Sequence, residues 1–139
     1  MLDYGCGPGS YILPTAELVR KSGKIYALDI NPLAARAVQK ISSKKGLTNV
    51  ETITSDCRTG LPDDSIDVVL LYDILHELSD PNSVLKELHR VLKPGGTLSL
   101  SDHHMNEDEI ISKITRGGLF KLQKKGRKNI QFPKRLSEN

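Results

Sequence analysis

With 139 residues the chain has the length of one domain, 1–139, and its 37% hydrophobic content supplies one core and excludes a disordered chain. No stretch approaches the ~20 consecutive apolar residues of a membrane span, so no membrane partner is expected. The net charge of +3 conceals an asymmetry, because residues 1–110 hold 11 basic and 16 acidic side chains whereas residues 111–139 hold nine basic and one acidic, Glu138.

Taken in chain order, short apolar runs alternate with amphipathic stretches, the pattern of an α/β fold. Met1 to Gly5 has neither the basic nor the apolar region of a signal peptide, so none is expected. The chain opens on Leu2 and reaches a glycine-rich turn at once, which leaves a truncated first strand. A helix is expected over about residues 11–21, with Pro14 in its first turn and Gly23 ending it. Residues 24–29 read as strand two. Asn31-Pro32 is a cap followed by proline at the first helical position, and Gly46 closes that helix. Val50 to Thr54 is a short β-branched strand. Ile66 to Leu71 is a continuous apolar run, as in a strand covered on both faces. Asp80-Pro81 repeats the cap-plus-proline start, and Val84, Leu85, Leu88, Val91 and Leu92 follow at helical spacing. Lys93-Pro94-Gly95-Gly96 should end that helix, with strand five over Thr97 to Ser101. Glu107 to Thr115 reads as a helix with acids in its first turn. Leu119 to Leu122 and Asn129 to Phe132 then flank Lys124-Lys125-Gly126-Arg127 as an antiparallel hairpin. Its lysines suit a solvated edge that resists aggregation, which is favoured over a nucleic-acid landing surface.

The chemistry concentrates in Asp3-Tyr4-Gly5-Cys6-Gly7-Pro8-Gly9-Ser10. Glycines at alternate positions let the backbone turn sharply and approach a ligand. The spacing is G-x-G-x-G, and Ser10 stands where a dinucleotide fingerprint has its third glycine. A pyrophosphate would be repelled by the Asp3 carboxylate, and a cationic ligand would be drawn to it. Asp29 ends strand two, where an acid can take both hydroxyls of a ribose. Asp56, in Ser55-Asp56-Cys57 after strand three, can accept from an exocyclic amine. Three acids at the carboxyl ends of successive strands describe an adenosine carrying a positive group instead of a diphosphate. Two cysteines, Cys6 and Cys57, cannot build a disulfide framework, so a reducing cytoplasm is expected.

This constellation resembles the class I S-adenosylmethionine-dependent methyltransferases. The resemblance runs through the glycine segment, Ala27-Leu28-Asp29, Ser55-Asp56-Cys57, Asp67 to Leu78 and Leu88 to Thr97. The run Leu92-Lys93-Pro94-Gly95-Gly96 before a strand is similar to the ubiquinone/menaquinone-type, small-molecule branch. The resemblance implies a Rossmann-like seven-stranded sheet, order 3-2-1-4-5-7-6 with strand seven antiparallel and helices on both faces, and S-adenosylmethionine as cofactor. It implies that Gly5, Cys6, Gly7 and Gly9 line the methionine part, with Asp3 near its ammonium. Asp29 would hold the ribose, Ile30 would pack on the adenine, Asp56 and Cys57 would meet the adenine ring, and Tyr72 would approach the methionine or its methyl group.

Methyl transfer from a sulfonium needs alignment and a dry pocket, and a base only when the acceptor is protonated. Base candidates end strands four and five: His76, Asp102 and His103 foremost, with Asp73 and His104 beside them. No ligand spacing for a metal is recognisable, and no metal is expected. The helices that usually precede strand one in the family are missing, which leaves a fragment or a homodimer covering the exposed sheet face as alternatives. The expected activity is methyl transfer to a small-molecule acceptor. The alternatives are an RNA or protein methyltransferase using the basic hairpin, which lacks aromatic interleaving for base stacking, or a non-catalytic cofactor-binding module.

Overall fold

The computed structural model describes residues 1–19, 22–126 and 129–136. The chain forms two compact units, Met1–Thr59 and Gly60–Asn139.

In the first unit, β1 (Leu2–Tyr4), β2 (Ile25–Asp29) and β3 (Val50–Thr54) run parallel in the order β3-β2-β1. Parallel neighbours need crossovers, and α1 (Ile12–Val19) and α2 (Pro32–Lys45) provide them. Pro14 lies in the first turn of α1, where its missing N–H is no loss. The expected last residues of that helix, Arg20 and Lys21, lie outside the described residues. α2 starts as its sequence implies: Asn31 is extended, its side-chain oxygen accepts the Leu33 N–H at 3.0 Å, and Gly46 closes the helix at φ 67°. Cys6, Ile12, Ile25, Ala27, Ala34 and Val38 form the buried core, with Ala34 and Val38 one helical turn apart on the inner face of α2.

In the second unit, β4 (Ile66–Tyr72) and β5 (Leu92–Ser101) are parallel, β7 (Ile130–Pro133) is antiparallel to β5, and β6 (Lys124–Lys125) is antiparallel to β7. The order is β4-β5-β7-β6, so each unit has the strand order and directions expected of it. Val69, Leu70 and Leu71 are all buried, which explains why β4 reads as a continuous apolar run. Asp80 caps α3 (Pro81–Val91): its carboxylate accepts the Ser83 N–H at 3.2 Å and the Ser83 hydroxyl at 2.6 Å. Val84, Leu85, Leu88 and Val91 make its buried stripe. α4 (Glu107–Thr115) opens on a reciprocal cap, Asn106 accepting the Glu109 N–H at 2.9 Å while its amide donates to Glu109 Oε1 at 2.6 Å.

Two boundaries differ from the sequence expectation. Extended backbone begins at Leu92 instead of Thr97. Leu92 pairs with Ile66 and Thr97 with Val68, so Lys93-Pro94-Gly95-Gly96 is a bulge in the strand, driven by burial of Leu92 in the core. In the hairpin, Lys124 and Lys125 belong to a strand, paired with Gln131 and Ile130, while Leu119 to Leu122 contribute a single bridge, Phe120 to Lys134. Burial of Phe120 and Phe132, 1% and 0% exposed, sets this register. Arg127 and Lys128, expected in the turn, lie outside the described residues. No helix among the described residues is long and apolar enough to cross a membrane.

Leu88 is fully buried on α3 and Lys86 is exposed on the same helix. Leu88→Ala should lower the free energy of unfolding by about 2–5 kcal/mol in urea denaturation, and Lys86→Ala should change it by less than about 0.5 kcal/mol.

Candidate functional site

In the first unit, the chain leaves β1 through three glycines that all take left-handed backbone, Gly5 at φ 78°, Gly7 at 53° and Gly9 at 90°. A Cβ on Gly9 would also press on Ile41 and Val38 at 3.1 and 3.2 Å, so the loop packs directly on the core. The amides of Gly5 and Cys6 both donate to the Leu28 carbonyl at 2.8 Å, which holds the turn against β2.

Asp29 stands at the end of β2. Its Oδ2 accepts the Gly7 N–H at 2.9 Å and its Oδ1 accepts the Asn31 N–H at 3.0 Å. Asp3 is 2% exposed, and its Oδ2 has no hydrogen-bond partner among the described residues. Burial, and after it the Asp29 charge, push its carboxyl up to about 7. Burial, followed by the Asp3 and Asp29 charges, pushes the Cys6 thiol up to about 12, which makes Cys6 a packing residue and not a nucleophile. Ile30, next to Asp29, is 69% exposed, a large apolar side chain left in solvent.

Beyond β3, the Ser55 amide donates to the Asp29 carbonyl at 3.1 Å and the Cys57 amide to Ser55 Oγ at 3.3 Å. The Asp56 side chain is exposed and Cys57 is half-buried. The Asp56 carbonyl accepts the phenol of Tyr4 at 2.9 Å. The structure thus brings Asp3, Gly7 and Asp29 together, and Tyr4 links β1 to the loop that carries Asp56 and Cys57. Sequence reasoning passed over Tyr4 as a spacer between Asp3 and Gly5. The available signal was a phenol in a buried strand, which needs a partner for its hydroxyl.

In the second unit, the Tyr72 phenol lies 2.8 Å from Ser99 Oγ, and the Asn129 amide donates to Ser99 Oγ at 2.8 Å and to the Tyr72 oxygen at 3.3 Å. Asp73 follows at φ 55°, an uncommon backbone for a non-glycine residue. Its Oδ1 accepts the His103 amide at 2.8 Å and lies 2.8 Å from His103 Nδ1. The His103 amide is the main influence that lowers the Asp73 pKa. His76 lies in a 3-10 turn, Leu75–Glu77, and both its amide (3.0 Å) and its Nδ1 (2.8 Å) reach Asp102 Oδ2. Asp102 Oδ1 accepts the His104 amide at 2.9 Å, and the His76 and His104 rings are 4.2 Å apart. Burial would raise the Asp102 carboxyl, but the His76 ring and the two amides outweigh it and hold it below its ordinary value. The structure therefore joins His76 to Asp102 and pairs His103 with Asp73. Among the described residues, no three of His, Cys, Asp and Glu are placed to share a metal ion.

Residues 1–134 match the family model described as a methyltransferase domain. The chain is 36% identical over 96 residues to a demethylmenaquinone methyltransferase of Geobacillus stearothermophilus, covering 68% of this chain and 41% of that protein. It is 31% identical over 103 residues to the aklanonic acid methyltransferase of Streptomyces sp. (strain C5), covering 73% and 46%. The chain thus spans less than half the length of these curated relatives. Among solved structures, a SAM-dependent methyltransferase from Aquifex aeolicus superposes with a TM-score of 0.82 at 26% identity, over 94% of this chain and 78% of the other.

Two predictions follow from this geometry. A carboxyl whose folded pKa lies above its unfolded one binds more protons folded than unfolded, so it weakens the fold as pH rises from about 4 to about 7. The displacement of Asp3 from 3.8 to about 7 corresponds to a penalty on the order of 4 kcal/mol above that range. Asp3→Asn should therefore melt higher than the unsubstituted protein at pH 8, with the gain vanishing at pH 4. Tyr4→Phe leaves the Asp56 carbonyl without its phenol donor and should cost about 1–2 kcal/mol in chemical denaturation.

Proposed function

Because the chain belongs to the class I S-adenosylmethionine-dependent methyltransferase family, we propose that it transfers the methyl group of S-adenosylmethionine, the family's cofactor, to a small-molecule acceptor. The observation that carries this reading is the buried Asp3 carboxyl with its unpartnered Oδ2, next to a second acid, Asp29, at a glycine turn. Such a turn suits a nucleoside bearing a positive group and repels a diphosphate. The curated relatives named for demethylmenaquinone and aklanonic acid support a small-molecule acceptor.

In this reading Asp3 meets the ammonium, and Gly5, Cys6, Gly7 and Gly9 line the methionine part. Each Asp29 oxygen accepts one backbone N–H and keeps a lone pair for a ribose hydroxyl. Ile30 gives its exposed side chain to the adenine, Asp56 accepts from the adenine amine, and the Cys57 backbone meets the ring.

When bound, the sulfonium supplies an electrophilic methyl group and a good leaving group. The chain aligns the acceptor, excludes water and, for a protonated acceptor, takes a proton. His76 is the proposed base. An ionised Asp102 can only accept, so His76 Nδ1 must carry the hydrogen between them, and the lone pair is left on Nε2. Glu77 Oε1 lies 3.5 Å from that Nε2. His103 is mostly exposed and tied to Asp73, which suits it less to that task.

Part of the basic charge near the C-terminus is spent on internal ion pairs, Lys125 with Glu107 at 3.0 Å and Lys134 with Asp64 at 2.9 Å, which favours a small molecule over nucleic acid as partner. A cysteine content limited to Cys6 and Cys57, too small for a disulfide framework, supports a reducing cytoplasmic setting.

Titration calorimetry with S-adenosylhomocysteine tests the cofactor site, and unchanged affinity on Asp29→Ala would refute its ribose role. With an acceptor found by labelled-methyl incorporation, Asp102→Asn should lower kcat by about 10²–10⁴-fold and leave S-adenosylhomocysteine affinity within about twofold.

A further inference from the structure

We propose that the glycine loop takes up its cationic ligand in exchange for a proton: Asp3 rests as a neutral acid in the ligand-free protein and loses its hydrogen when a positive group arrives. This rests on the reading of the loop as the S-adenosylmethionine site and adds a mechanism of capture to it.

The geometry is that of a charge with nothing to balance it. Asp3 is buried, and its Oδ2 has no hydrogen-bond partner among the described residues. Buried polar atoms are ordinarily bonded, and a bare buried carboxylate is costly. Among the described residues, the titratable group that acts on it is Asp29, at the end of β2, and Cys6, in the loop, feels the charges of both acids; neither is a cation. Asp29 cannot turn away, because the Gly7 and Asn31 amides hold one oxygen each. Those two bonds keep the Asp29 carboxylate beside Asp3, where its charge raises the Asp3 carboxyl. Two carboxylates so placed are eased most simply if the buried one keeps a proton, in keeping with an Asp3 carboxyl raised to about 7.

An incoming ammonium changes the balance. It supplies the opposite charge that Asp3 lacks, and the carboxylate becomes the favoured form. The O–H bond of the Asp3 carboxyl breaks, its proton passes to solvent, and the ligand cation takes its place as the neutralising charge. Binding at pH 8, well above the Asp3 midpoint, needs almost no proton release. Binding at pH 6 releases about one proton and is about tenfold weaker than at pH 8, by linkage to a group titrating near 7.

The test is titration calorimetry with S-adenosylhomocysteine, whose ammonium does not titrate in this range, at pH 6 and pH 8 in two buffers of different ionisation enthalpy. The expected result is about tenfold weaker binding at pH 6, with a buffer-dependent heat equal to nearly one proton released. Adenosine, which lacks the cation, should bind without releasing a proton. In Asp3→Asn, with folding checked by its thermal melt, binding of S-adenosylhomocysteine should be weaker at pH 8, flat with pH and independent of buffer. A carbon-13 titration of the ligand-free protein supplies a measurement that needs no functional variant. The carboxyl resonance missing from Asp3→Asn should have its midpoint near 7 and move below 5 on saturation with S-adenosylhomocysteine. Tight binding at pH 6 with no proton released, or a ligand-free midpoint below 5, would overturn the proposal. Absence of S-adenosylhomocysteine binding at both pH values would overturn the cofactor-site reading itself, a result distinct from binding without proton release.

Discussion

The Asp29 carboxylate accepts two backbone N–H groups from different parts of the first unit, one from Gly7 in the glycine turn and one from Asn31 at the start of α2. Charge-assisted bonds of this kind are roughly twice as strong as neutral ones. They fix the loop after β1 relative to the helix after β2, and the Leu28 carbonyl completes the attachment by accepting the Gly5 and Cys6 amides. The left-handed glycines make the turn sterically accessible, and Asp29 selects one geometry from those that glycine allows. The positions of Asp3, Gly7 and the loop after β3 are built on that arrangement.

This use of Asp29 explains the ligand class that suits the turn. In a phosphate-binding loop the freed backbone N–H groups are offered to the anion of the ligand. Here the Gly7 N–H is taken by the protein's own carboxylate, and a second acid, Asp3, is buried nearby. The turn thus gathers two acids where a phosphate loop offers free amides, and the ligand that suits it is a cation. Tyr4 extends the same rigidity to the loop after β3 by donating to the Asp56 carbonyl.

The features legible in the sequence were those decided by neighbouring residues. Asn31-Pro32 and Gly46 bound α2, Asp80-Pro81 opens α3, and α4 spans the expected residues because Asn106 and Glu109 cap each other. Placement of Asp29 and Asp56 at strand ends was legible because Asp29 closes Ile25 to Leu28 and Asp56 follows the β-branched segment Val50 to Thr54, while Asp3 lies inside the short β1. Features decided by distant residues were not. Lys93 to Gly96 has the composition of a helix breaker, yet it lies inside a strand because Leu92 and Thr97 both pair with β4. The hairpin register follows the burial of Phe120 and Phe132, and turn chemistry alone placed Lys124 and Lys125 wrongly. That Asp73 and His76 follow β4 and Asp102 and His103 follow β5 was legible, but their hydrogen-bond partners depend on loop paths that the residue types do not encode. Tyr4 went unnoticed because its partner is a backbone carbonyl in the loop after β3, 52 residues along the chain.

The partners in that cluster are exchanged in a definite way. The segment after β4 lends Asp73 to His103 and receives Asp102 for His76, so each loop contributes one acid and one imidazole to the other. Such cross-stitching makes the two loops a single mechanical element. A displacement imposed on either would draw its counterpart along, and loss of one stitch would slacken both.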